Sequence, residues 1–205
     1  MDKNIEQPRK KNPVLIDRVI QNLRDILSQN LNWLDKTFGR AYKIVEYEDS
    51  GSKYTYPGAY IGNAEYISLM PNDNFGNFCW FDIYDPQVIN VVAPRKPSIT
   101  FSGAIIFWFN LDNIFIENET INSEEIKNEI LKVLTGPGVL QHGRISITNI
   151  YERLDNIYKD YSLERVYNNY AYRGENVNTL DKQYFMFPYG GLRFEFEITI
   201  QELCS

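Results

Sequence analysis

A single imidazole, two cysteines and a few carboxylate clusters are the side chains in this sequence whose type and spacing suit bond-making chemistry. His142 is the one imidazole base, and it lies in Gly138-Val139-Leu140-Gln141-His142-Gly143. No nucleophile elbow surrounds it, so a glycine-flanked turn residue is the favoured reading over a Ser–His–Asp site. Gly136-Pro137-Gly138 lacks the Gly-x-x-x-x-Gly-Lys-Ser/Thr spacing of a phosphate loop and follows a helical pattern, so it reads as a helix stop. Glu195 and Glu197 alternate onto one face of one strand, a carboxylate pair of the kind that cleaves glycosides. Arg193 and Gln201 share that face, which favours a sheet surface turned to water or to a partner chain. Glu124, Glu125 and Glu129 open a helix, where acidic side chains complement the helix dipole without any metal. Asn72-Asp73-Asn74 lacks the twelve-residue calcium-loop pattern and reads as a turn. Cys79 and Cys204 form no Cys-x-x-Cys pair, and with one histidine they cannot make a four-ligand zinc site. The expectation is no catalytic residue, no cofactor and no metal.

The composition points elsewhere. The chain has 205 residues, enough to bury one core without staples. It carries 15 Tyr, 12 Phe and 3 Trp, and tyrosine joins a flat apolar body to one polar tip. Such residues are enriched where proteins meet, although a Tyr-rich core is the alternative. The net charge is −6, whereas gripping phosphates requires a basic face. The one basic cluster, Arg9, Lys10 and Lys11 with Arg18 nearby, is partly offset by Asp2 and Glu6 and reads as a solvated tail. The first dozen residues show no signal-peptide pattern. No run approaches the ~20 apolar residues of a membrane span, so folding in a reducing cytoplasm with no membrane partner is expected.

The elements that would position these residues are legible as patterns. Residues 1–12 read as a flexible tail, and 13–205 as a single domain with no internal repeat or linker. Pro13 suits a helix start, and Ile16, Val19, Ile20, Leu23, Ile26, Leu27, Leu31 and Leu34 follow at helical spacing. Strand-like runs come at 40–48, 53–61, 65–70 and 77–84. Residues 85–97 carry Pro86, Pro94 and Pro97 and read as a long loop. Ser98–Leu111 is apolar on both faces beyond residue 104, which marks a central strand. Asn122 and Glu125 form a capping-box-like start to a second helix. A strand at 144–150 is expected to pass into a helical turn near 152–160, and 162–184 is Tyr- and Asn-rich and mostly irregular. Leu192, Phe194, Phe196, Ile198 and Ile200 alternate with polar residues after the turn Pro188-Tyr189-Gly190-Gly191. The fold class expected is α+β: a mostly antiparallel twisted sheet packed against two or three helices, with long loop insertions.

The ending Tyr184-Phe185-Met186-Phe187-Pro188-Tyr189-Gly190-Gly191-Leu192-Arg193-Phe194-Glu195-Phe196-Glu197-Ile198-Thr199-Ile200 resembles the last strand of tailed-bacteriophage tail completion, head–tail connector and tail terminator proteins. In that family a Tyr/Phe-Pro-Tyr-Gly-Gly-like turn often precedes an alternating final strand. The likeness covers most of the chain in element order, and only this ending in sequence. It implies a ring-forming subunit at the neck or tail of a virion, assembled in a bacterial host and not an enzyme. Its partners would be further copies and other neck or tail proteins. DNA would pass through the ring without specific binding, in keeping with an acidic chain.

Ring subunits join head to tail through exposed apolar anchors with a polar rim. Val88, Ile89, Val91 and Val92 of the proline-rich loop are the first candidates, unless that loop folds back on its own domain. Tyr167, Tyr170 and Tyr172 of the second insertion are further candidates, with Arg193, Glu195 and Glu197 of the last strand. The alternative function is a small-ligand or glycan-binding module, with or without hydrolase activity, with Trp80, Trp108 and Tyr60 as stacking platforms.

Overall fold

The computed structural model describes residues 7–47, 49, 51–90, 98–115, 123–137, 139–140, 143–170 and 186–201. Helix α1 (Ile16–Asn30) buries Ile16, Ile20, Leu23 and Leu27 along one stripe. The apolar spacing runs on to Leu34, but the helix stops sooner because Leu31 turns extended (φ −109°, ψ 91°). Leu31 and Leu34 then fill the same core from the turn that follows. Each such fully buried aliphatic chain contributes about 1.5–3 kcal/mol over an exposed one.

The run read as one strand over 40–48 divides between two sheets. Strand β1 (Lys36–Arg40) and β2 (Tyr42–Tyr47) meet at a corner formed by buried Ala41. Strands β3 (Lys53–Gly62) and β4 (Glu65–Ser68) complete a three-stranded antiparallel sheet in the order β2-β3-β4. The larger sheet takes β1, β5 (Phe78–Ile83), β6 (Val88–Asn90), β7 (Ser98–Asn110), β8 (Gly143–Tyr151) and β9 (Tyr189–Ile200). Its order is β1-β5-β7-β9-β8, and β6 lies beside the first residues of β7 on the β5 side. Every pairing is antiparallel except β1 with β5.

Both faces of this sheet are covered, as the two apolar faces of β7 imply. On one face, α1 and helix α2 (Ser123–Thr135) pack with Phe81, Ile105, Phe107, Leu192 and Phe194. On the other, Trp80, Ile106 and Trp108 meet Tyr54, Tyr56 and Ala59 of the small sheet. Two short helices, α3 (Leu154–Ile157) and α4 (Glu164–Tyr170), add Leu154, Ile157, Tyr158, Val166 and Tyr167 to that second layer. The fold is therefore α+β with a mostly antiparallel sheet. Gly103 marks the tightest point: a Cβ there would stand 2.3 Å from the Asp82 carbonyl and 2.8 Å from the Phe196 ring.

Three further expectations change. Within 85–97, Val88–Asn90 form β6 by pairing with Ser98–Thr100, with Pro86 before the ladder, and 91–97 lie outside the described residues. Within 162–184, residues 164–170 are helical, since Val166 and Tyr167 dock on the second core. Gly190 and Gly191 belong to β9 and not to the turn before it, with Gly191 opposite Trp108. A Cβ at Gly191 would stand 2.9 Å from the Phe107 carbonyl, so only glycine lets the strands close there.

Candidate subunit interface and the polar cluster beside it

Among the described residues, two edges of the sheet at one end are unpaired on their outer side. Strand β6 pairs with β7 alone among the described residues, and β8 pairs with β9 alone. Val88 and Ile89 sit on β6 with 50% and 64% of their surface exposed. Exposed β-branched residues on an unpaired edge are a template for another chain. On β8, Arg144 and Ile150 are exposed, and Ile145 and Ile147 are half-buried against the helical core. A register shift between Ile147 and Asn149 interrupts the strand at Thr148 and leaves 143–147 regular.

The other candidate interface residues fall in different places. Val91, Val92 and Tyr172 lie outside the described residues, as do His142 and Cys204. Tyr167 is buried, and its hydroxyl donates to Asp155. Tyr170 packs edge-on against Trp108 and Tyr189, with ring centres 5.2 and 4.7 Å away. Glu197 is exposed. Trp80 and Trp108 are core residues rather than stacking platforms, at 0% and 2% exposure, because β5 and β7 turn them under the small sheet. Tyr60 is half-exposed and meets Tyr66 edge-on at 5.3 Å, and Tyr66 meets Tyr42 at 6.1 Å.

Arg193 corrects the reading of the last strand. It does not face water: none of its surface is exposed, because α3 and the residues after it roof that part of β9. Its Nη1 donates to the Ile157 carbonyl at 2.9 Å, and its Nε reaches Glu195 at 3.4 Å. The guanidinium stands 5.4 Å from the centre of the Tyr84 ring. Its Nη2 and the Tyr84 hydroxyl have no hydrogen-bond partner among the described residues. Burial lowers the pKa of Arg193, while the charges of Asp82 and Glu195 oppose that shift.

The neighbouring carboxylates divide into two environments. Asp82 lies across β7 from Glu195, with Ala104 between them in register. Burial pushes the Asp82 carboxyl up to about 6, although the Arg193 charge and a hydrogen bond from Tyr161 at 3.3 Å oppose the shift. Burial also acts on Glu195, but Lys159 at 2.8 Å, Asn149 at 3.1 Å and Arg193 outweigh it and hold its pKa below the ordinary range. The cluster is a charge-compensated network, buried at Arg193 and open to water at Lys159, that links β5, β9 and the residues of and after α3. Sequence reasoning missed it because period-two alternation places Arg193 and Glu195 on a polar face without saying what covers that face. The available signal was Leu154, Ile157, Tyr158 and Tyr161, an apolar set large enough to act as a roof.

A cavity of about 450 Å³ opens near the start of α1, bordered by Arg9, Arg24, Arg40, Tyr42, Tyr60 and Tyr66. Residues 7–10 form part of its wall. Arg9 pairs with Asp25, Lys10 pairs with Asp17, and the Gln7 side chain donates to the Arg40 carbonyl at 3.3 Å. Among the described residues no group of three or more His, Cys, Asp or Glu is placed to hold a metal, and no helix is long and apolar enough to cross a membrane. Neither a protein-family model nor any curated protein matches this chain.

Proposed function

We propose that this chain is a structural subunit of a ring at the neck or tail of a bacteriophage virion. It works by packing against further copies and other neck or tail proteins, around a channel that DNA crosses without specific binding. The exposed edge strand β6, with Val88 and Ile89 in the open, carries the reading. These two side chains bury little on their own domain, which is the state of an anchor awaiting a partner. The net charge of −6 fits a channel that must release DNA, and the last strand resembles that of neck and tail proteins.

Mass spectrometry of purified virions tests the proposal. The expected result is this chain in multiple copies per particle, with a ring visible by cryo-electron microscopy. Its absence from virions of the phage that encodes it would refute the reading.

One observation favours a second reading, a small-ligand or glycan-binding module. The cavity beside Tyr42, Tyr60 and Tyr66 combines aromatic faces with the Arg40 guanidinium, 5.4 Å from the Tyr42 ring centre. A thermal-shift screen with sugars separates the two, since a reproducible rise lost in Tyr60→Ala supports this second reading.

A further inference from the structure

We propose that copies of this chain join by antiparallel pairing of β6 of one copy with β8 of the next, so that the large sheet runs on across each junction. The inference rests on the ring reading and adds its geometry.

Both free edges lie in the same rows of the sheet. Ile89 is opposite Ile99, Ile99 is opposite Ile200, and Ile200 is opposite Gly143. One residue along, Val88, Thr100, Thr199 and Arg144 form the neighbouring row. At this end the local order is thus β6-β7-β9-β8, with an unpaired strand on each side among the described residues. Strand direction reverses at each step, since all three pairings are antiparallel. A following β6 placed beside β8 keeps that alternation, so the junction is antiparallel without turning either subunit over. The contact is heterologous, edge β6 against edge β8, and a repeated rotation closes it into a ring.

Side-chain placement agrees. Residues in one row project to one face, and Ile99 and Ile200 project to the helical face, where they pack with the α1 and α2 core. Ile89 shares their row, so in a junction without shear it meets Gly143, where no side chain competes for space, with half-buried Ile145 two residues along. Val88, on the opposite face, meets the aliphatic stem of exposed Arg144. Val88–Asn90 carry no charge or proline, and between Gly143 and Ile147 Arg144 is the one charged residue.

Cysteine cross-linking of the full chain, alone and in assembled particles, tests the pairing in a Cys204→Ser background. Val88→Cys is combined in turn with Arg144→Cys, Ile145→Cys or Ser146→Cys, which also covers a sheared register. One combination is expected to give a ladder of covalent multimers on oxidation, while each single variant stops at dimers. Ile89→Lys, at a site 64% exposed, is expected to leave the melting temperature near wild type and weaken assembly by tenfold or more in native mass spectrometry. An intact oligomer that resists Ile89→Lys and cross-links in no register overturns the pairing and leaves the ring reading standing. A wild-type chain that stays monomeric alone and is absent from particles overturns both.

Discussion

Replacing Asp82 with asparagine keeps the shape of a half-buried side chain and removes its titration. The wild-type carboxyl is raised from 3.8 in the unfolded reference to about 6 in the folded protein, with burial as the main cause. At 1.36 kcal/mol per unit, this shift of about two units corresponds to about 3 kcal/mol of stability linked to one proton. The folded state holds that proton more tightly than the unfolded chain does. The contribution is therefore fully present below pH 3.8, falls as pH rises toward about 6, and is flat above. Urea unfolding of both proteins at a series of pH values isolates it, because the other carboxylates cancel in the difference. Wild-type stability minus that of Asp82→Asn should drop by about 3 kcal/mol across this window and then level off. A difference that stays constant within extrapolation error, or that rises with pH, refutes the assignment of Asp82 as a carboxyl buried at a net cost.

Further outcomes follow from the same packing. Arg193→Ala removes a buried cation, strands Asp82 and leaves a void, so it should cost about 3–5 kcal/mol in urea unfolding, whereas Arg193→Met strands Asp82 equally but fills the space and should cost less by the void alone. Gly103→Ala drives a methyl group into the Asp82 carbonyl and the Phe196 ring, and a loss of about 1–3 kcal/mol or more should appear as a lower melting temperature.

The large elements were readable because one rule governed each. Helix α1 follows from the spacing of Ile16, Ile20, Leu23 and Leu27, and the central place of β7 from the apolar residues on both its faces. Strand β6 was hidden by its flanking prolines: Pro86 forbids little at Val88, but composition averaged over 85–97 reads as loop. The corner at Ala41 was hidden because a change of sheet leaves β-propensity untouched on either side. The Arg193 cluster was hidden for a related reason. A residue type reports its preference for water, whereas its burial depends on α3, whose Ile157 lies 36 positions earlier in the chain. The open edges were legible least of all, because an edge is defined by what does not pair with it.

The position of β9 also sets an order of events during folding. This strand is made after β8, yet it lies between β8 and β7. Its ladder with β7 joins Asn110 to Tyr189 and Ile99 to Ile200, separations that make closure slow. A chain halted before residue 189 has β7 and β6, but lacks the strand that pairs with β8. Insertion of this late strand therefore covers the β7 edge and gives β8 its partner in the same step, and a chain that lacks β9 leaves β7 unpaired on that side.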